Sequence, residues 1–352
     1  MSRNEKQAVI DRTIDAVNPT RRGLLRAAGV VGSAALAAPL LALSGRSWAQ
    51  ESSKLTPLNF AWNQASSCLS PVAVAKETGI FEKNGLAVEL TNYSGSTDQL
   101  LEALATGKSD AAVGMIHRWL KPLESGFDVK IVAGLHGGCM RLLGYKPAGV
   151  TKVEDLRGKA IGVLGQDSPS KHFFTVYLQR HGIDAEREIT WKVYPRDLLG
   201  LAAEKGEIQA IADTDPLIFL LERDGKGNLV ELASNTSSPY EDKLCCVVGV
   251  GGKLVRDQRP VASALVKSLV EAYDWSHSHQ EESAKIFQKY TTNISVDELK
   301  LLYKNLTLHH HQVGTDLRDQ IVYYANDFKG LGVLKASTDV NKYADHVFAK
   351  VL

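Results

Sequence analysis

Hydrophobic and polar positions divide the chain into three regimes. Residues 1–26 are mostly polar. Residues 27–43 form an apolar run, diluted by Gly29, Gly32 and Pro39. From residue 56 onward, short apolar or β-branched runs alternate with amphipathic stretches. The runs 58–62, 87–93, 110–115 and 129–133 predict strands, and 71–78, 98–106 and 117–125 predict the helices between them. A second series repeats the alternation, with strands at 160–164, 189–193 and 208–212 and helices at 169–180, 196–205 and 217–222. Beyond Pro260 the pattern is predominantly helical. Repeated strand–helix units predict mainly parallel sheets in an α/β fold. Two such series imply two lobes, joined near residues 143–150 and again near 246–253.

The first regime ends in Thr20-Arg21-Arg22-Gly23-Leu24-Leu25, and the apolar run leads to Ser47-Trp48-Ala49. A polar start, an apolar middle and a small-x-small end are the parts of a secretory signal. The paired arginines resemble those of twin-arginine signals, with Leu24 where Phe is commoner and Arg26 where Lys is commoner. A membrane anchor needs about 20 strongly apolar residues, more than this run offers. The expectation is a leader over 1–49, cleaved after Ala49, and a periplasmic protein.

Removing the leader changes the charge. Residues 1–49 hold 7 of the 41 Lys+Arg and 3 of the 40 Asp+Glu, leaving 34 basic and 37 acidic residues, a net of −3. That excludes the basic signature of a nucleic-acid binder. The four cysteines, Cys68, Cys139, Cys245 and Cys246, are too few for a disulfide-built scaffold of this length, and no CxxC occurs. Cys68, Cys139 and Cys246 each fall near an expected cleft edge, where they could form a disulfide, bind a soft metal with nearby histidines, or be small buried residues; buried, inert thiols are the base expectation. His309-His310-His311 reads as a solvated stretch of the helical tail.

Several stretches resemble the periplasmic solute-binding proteins of ABC importers, in particular the group serving nitrate, bicarbonate, sulfonates, taurine and thiamine precursors. Ser70-Pro71 through Lys83-Asn84-Gly85-Leu86 resembles that family's first helix and turn. Gly107-Lys108-Ser109-Asp110 resembles its junction into a buried strand, and Gly206-Glu207-Ile208 echoes it. Asp155-Leu156-Arg157-Gly158-Lys159 resembles the start of its second lobe. The resemblance spans most of residues 56–290. It implies a two-lobed periplasmic binding protein (type II) with a hinge and a helical C-terminal region. Residues 50–145 and 250–352 would form lobe 1, and 146–249 lobe 2. It also implies a non-enzymatic receptor, a monomer without cofactor or metal. Its partners would be a small anionic or zwitterionic solute, of the sulfonate, taurine, nitrate or bicarbonate kind, and a membrane permease, with no nucleic acid. The alternative on the same fold is an enzyme resembling the thiamine-pyrimidine synthases, or a binder of their precursors. Those use a histidine with a cysteine-bearing iron site, but their cysteine-rich run is missing from this chain.

In such a fold the ligand belongs at the carboxyl ends of the strands, where loops and helix N-termini face the cleft. The candidates are therefore Trp62, Asn63 and Gln64 after the first strand, Ser94, Ser96 and Thr97 before a helix, and His117 after the third strand. His136 and Cys139 follow the fourth, and rank above Arg118 and Arg141, whose long side chains can reach solvent. Ser168, Ser170 and His172 open the first helix of lobe 2, where the nitrate and bicarbonate proteins often carry a histidine. Asp213 and Asp215 close a lobe 2 strand. Each has a plain structural reading: a loop, a cap, a tight turn or a buried core group. An acid in the cleft disfavours a bare oxyanion such as nitrate and suits a ligand with an amine or several donors, such as an aminosulfonate or a heterocycle.

Overall fold

The computed structural model describes residues 55–93, 97–291, 293–306 and 313–352. The expected leader lies outside them, as do Ser94, Ser96 and His309-His310-His311.

Among the described residues, ten strands build two five-stranded sheets. β1 (Thr56–Trp62), β2 (Leu86–Asn92), β3 (Ala111–Met115) and β4 (Val129–His136) come first. They are followed by β5 (Met140–Tyr145), β6 (Ala160–Val163), β7 (Thr190–Val193), β8 (Ala210–Thr214) and β9 (Leu229–Ser234). β10 (Cys246–Gly251) closes the series. The sheet orders are β2-β1-β3-β10-β4 and β7-β6-β8-β5-β9. In each, three parallel strands are flanked by one antiparallel strand, β10 or β5, that has just arrived from the other sheet. The two sheets thus share one plan, and exchange a strand to realise it.

The central strands are buried on both faces, as helix-covered parallel strands must be. All five residues of β3 are buried. Gly114 on β3 and Gly249 on β10 together leave a slot for the Trp119 indole. A Cβ on Gly114 would lie 2.1 Å from that ring, and one on Gly249 would lie 2.5 Å from it. This slot seats helix Ile116–Glu124 directly after β3 and fixes the carboxyl end of the strand.

The sheet exchange occurs earlier than the sequence pattern suggested at both joints. The chain leaves the first sheet after His136 and enters the second at Met140, through Gly137, Gly138 and Cys139. Gly138 and Cys139 both take positive φ, 78° and 105°, which reverses the backbone within three residues. The return runs from Ser234 to Cys246. The two crossings lie side by side: Cys245 N–H donates to the His136 carbonyl at 2.8 Å, Asn235 N–H donates to the Met140 carbonyl at 3.0 Å, and Met140 N–H donates to Asn235 Oδ1 at 2.9 Å. These paired segments are the hinge.

The C-terminal region is helical, as expected. Helix Gly314–Gly330 braces the hinge: Tyr324 O–H donates to the Leu244 carbonyl at 2.7 Å, and Asp327 accepts from Tyr240 O–H at 2.9 Å and pairs with Arg180. Among the described residues, no helix is long and apolar enough to cross a membrane.

Candidate functional site

A cavity of about 380 Å³ opens where the carboxyl ends of the two sheets' strands meet. Its first wall carries Asn63, Ser66 and Cys68 after β1, with Met115 at the end of β3. Its second carries Asp167 and Ser168 after β6, Arg196 after β7, and Asp213 and Thr214 at the end of β8. Cys139 and Cys246 belong to the hinge and also line it. The volume suits a small solute.

Of the residues singled out from the sequence, Asn63, Cys139, Ser168 and Asp213 line this cavity. Asp213 is the most informative. It is 6% exposed; Oδ1 accepts from Thr214 N–H at 2.7 Å, while Oδ2 is buried without a hydrogen-bond partner. Burial pushes its pKa up to about 6, and attraction to Arg196 holds it from rising further. At neutral pH the cavity therefore presents a carboxylate with an unfilled acceptor. Asp167 adds a second acid, and Arg196 supplies a cation.

Ser168 caps helix Pro169–Arg180, its Oγ accepting from Lys171 N–H at 3.3 Å. The start of this helix, at Ser168 and Pro169, lies on the cavity wall, so its partial positive charge acts there. Ser170 is buried behind it, 3.4 Å from Ser168 Oγ, and does not line the cavity.

The other expected residues lie elsewhere, each for a physical reason. Strand alternation turns Trp62 away from the cavity: it is buried edge-on against Tyr290, with ring centroids 5.1 Å apart. Gln64 flanks the same separate depression as Trp62, and its N–H donates to Asn92 Oδ1 at 3.1 Å. Thr97 opens helix Thr97–Ala105, and Gln99 and Leu100 later in its first turn reach the cavity.

His117 is a core residue. Its ring packs at 4.6 Å from Tyr324 and 5.2 Å from Phe173, and neither nitrogen has a hydrogen-bond partner. Burial pulls its pKa down to about 4. His172 accepts from Arg118, which is also paired with Asp98. Burial and then the Arg118 charge pull the His172 pKa down to about 4. This contact joins the helix after β3 to the first helix of the second sheet, so His172 ties the lobes together. Asp215 pairs with Arg141 at 3.6 Å and accepts from Phe219 N–H at 3.1 Å. Burial pushes its pKa up to about 7 against the pull of Arg141. Arg141 also pairs with Glu222 and Glu231, so neither Asp215 nor Arg141 is free for a ligand.

His136 lies in the hinge among cysteines. Cys68, Cys139, Cys245 and Cys246 are all buried and reduced, with Cys139 Sγ 3.8 Å and Cys246 Sγ 4.0 Å from Cys245 Sγ. Burial pulls the His136 pKa down, but the Cys68 thiolate outweighs it and the ring is pushed up to about 9. Hydrogen bonds from the Cys139 and Cys246 thiols hold Cys68 well below the usual thiol range. The sequence places Cys68, Cys139 and Cys246 near the cleft edge, and these three line the cavity, while Cys245 is buried behind them.

Arg196 and Ser66 were missed. Arg196 had the appearance of an ordinary helix start, although it follows the carboxyl end of a predicted parallel strand, which is the signal that could have marked it.

Comparison with known proteins agrees with this architecture. Among curated proteins no sequence matches. The alkanesulfonate-binding protein SsuA from Xanthomonas axonopodis pv. citri, solved bound to MOPS, superposes with a TM-score of 0.66 at 18% identity, covering 82% of this chain and 98% of that one. The periplasmic nitrate-binding protein NrtA from Synechocystis PCC 6803 gives 0.68 at 15% identity, covering 84% and 86%. The CA3427 gene product of Candida albicans, which has the generic periplasmic binding protein fold, gives 0.67 at 17% identity, covering 84% and 97%. Residues 51–289 match the model of the NMT1-like family. The chain belongs to the NMT1-like family and has the two-lobed fold of the periplasmic binding proteins.

Proposed function

We propose that this protein is the solute receptor of an ABC-type importer, exported to the periplasm by the twin-arginine route. It captures a small zwitterion, such as an aminosulfonate, between its lobes and presents it to the membrane permease. The observation that carries this reading is Asp213: a buried carboxylate with one unfilled oxygen, in a cavity that also holds Arg196 and a helix N-terminus. A bare oxyanion such as nitrate or bicarbonate would meet two carboxylates there. A solute with an ammonium group at one end and a sulfonate or carboxylate at the other satisfies both chemistries. The ammonium would donate to Asp213 Oδ2, and the oxyanion would take the amides at the start of helix Pro169–Arg180 and the Arg196 guanidinium. Closing the lobes removes water from the cavity and strengthens each of these contacts. The closed form is what a permease would recognise.

Calorimetric titration of the purified protein with taurine and longer aminosulfonates tests this. The expected result is one site per chain and a smaller radius of gyration on binding. Binding of nitrate or bicarbonate with none of the zwitterions would reverse the assignment of ligand class.

A further inference from the structure

We propose that the hinge carries a binding site for a thiophilic d10 cation, Cu(I) or Zn(II), held by Cys68, Cys139 and His136. The inference rests on the side-chain cluster and is independent of which solute the cleft takes.

Cys68 meets two residues that come 68 and 71 positions later in the chain, His136 and Cys139, at the first crossing. Cys68 follows β1, His136 ends β4, and Cys139 lies in the reversal that follows. Their ligand atoms, two sulfurs and a ring nitrogen, all lie within 4.8 Å of one another. Two sulfurs bound to one ion at about 2.3 Å each stand about 3.8 Å apart at the tetrahedral angle, so small side-chain adjustments complete the set. Cys245, 3.8 Å from Cys139 across the hinge, already stands at that spacing, and it keeps the surroundings rich in sulfur.

The histidine supplies a second, separate observation. His136 is 2% exposed. Its Nδ1 lies 3.3 Å from the Gly137 carbonyl, which can only accept, so Nδ1 carries a proton. Nε2 is buried without a hydrogen-bond partner. A buried polar atom left in this state is costly. An imidazole whose one nitrogen is fixed on a backbone carbonyl while the other points away unpaired has the orientation that metal-ligating histidines adopt. A disulfide among the cysteines would leave that nitrogen as it is; a cation would satisfy it.

The donor set decides the class of ion. Thiolate sulfur and imidazole nitrogen select soft or borderline cations and disfavour magnesium and calcium. Cys68 and Cys139 also line the solute cavity, so an ion could reach the site from there and keep one coordination position directed at the cleft. On binding, each of the three ligand atoms that carries a proton gives it to solvent, and the ion takes the lone pairs of the two sulfurs and of Nε2; no electron is transferred.

The test uses protein purified anaerobically with reductant, without solute. It is titrated with Zn(II), and separately with Cu(I), each against a chromophoric chelator, and with Co(II) as a spectroscopic probe. The expected result is one equivalent of Zn(II) or Cu(I). Co(II) should show the thiolate charge-transfer band and the strong visible bands of a four-coordinate site. The two titrations identify the preferred ion. Cys68→Ser, Cys139→Ser and His136→Gln should each weaken binding at least ten-fold and remove or shift the Co(II) spectrum, with circular dichroism checking that each variant is folded. Should a variant fail to fold, the wild-type titrations decide alone. Folded protein with four titratable thiols that takes up neither ion stoichiometrically overturns the proposal, as does a Co(II) spectrum without thiolate charge transfer.

Discussion

Arg118 and His172 join the two lobes directly: the guanidinium, anchored on Asp98, donates to His172 Nε2 at the first turn of helix Pro169–Arg180. The bond requires a neutral ring. Burial and the arginine's own charge supply that condition by pulling the His172 pKa to about 4. His172→Ala should therefore loosen the closed form without touching the cavity. A hydrogen bond from a charged donor is worth about 1.5 kcal/mol or more, so solute affinity should fall about ten-fold or more while the unfolding midpoint moves little. The ring's folded value lies below its ordinary one, so the contribution is fully present above about pH 6.5 and is lost as pH falls toward 4. Calorimetry across that range checks both the size and the sign.

Asp213 should trade stability for binding. Its folded pKa is raised to about 6 by burial. Below about pH 3.8 the carboxyl is protonated in both folded and unfolded chains and costs nothing. Between about pH 3.8 and 6 the unfolded chain ionises first, and stability falls as pH rises. Above pH 6 the penalty is complete, on the order of 3 kcal/mol. Asp213→Asn should remove that penalty. The variant is expected to be more stable than wild type at pH 7, equal to it at pH 3.5, and unable to hold an amine-bearing solute. Urea midpoints at the two pH values measure the first two outcomes.

His117 carries the opposite dependence. It is enclosed by Tyr324, Phe173 and Phe328, and burial pulls its pKa to about 4 in spite of Cys245 and Asp327 nearby. Stability from the neutral ring is full above about pH 6.5 and declines as pH falls to 4, by about 3 kcal/mol. His117→Phe keeps the aromatic contacts and removes the titration. The difference between variant and wild type should grow in the variant's favour as the pH is lowered from 7 to 4, read from denaturant midpoints.

Gly114 should tolerate no side chain. A methyl there would fall 2.1 Å from the Trp119 ring, which is fully buried between two strands. Gly114→Ala is expected to cost about 1–3 kcal/mol, and the restoring change is Trp119→Leu in the same chain. A double-mutant cycle on thermal unfolding checks that the two positions couple.

The sequence made the parallel strands legible because each is a short apolar run bounded by turn residues. The strands that exchange between sheets were not legible in the same way. β5 (Met140-Arg141-Leu142-Leu143-Gly144-Tyr145) and β10 (Cys246-Val247-Val248-Gly249-Val250-Gly251) are equally apolar, but sequence alone does not say which sheet a strand joins. For that reason the hydrophobic pattern does not mark the sheet exchange after His136 or the return after Ser234. Position at the carboxyl end of a strand pointed to Asn63, Ser168 and Asp213, which line the cavity, while side-chain direction is not legible in sequence: Trp62 ends the strand that Asn63 follows and faces away. Cys68, His136, Cys139 and Cys245 are separated by up to 177 residues, and only the double crossing of the hinge brings them together.

The most direct test of the central claim compares wild type with Asp213→Asn in a thermal-shift screen against taurine, longer aminosulfonates, nitrate and bicarbonate at pH 7.5. A zwitterion at 100 times its dissociation constant should stabilise the wild type by about 2.7 kcal/mol, leave Asp213→Asn unmoved, and outperform both inorganic anions. Nitrate or bicarbonate stabilising both proteins equally, with no response to any amine-bearing solute, would contradict the account.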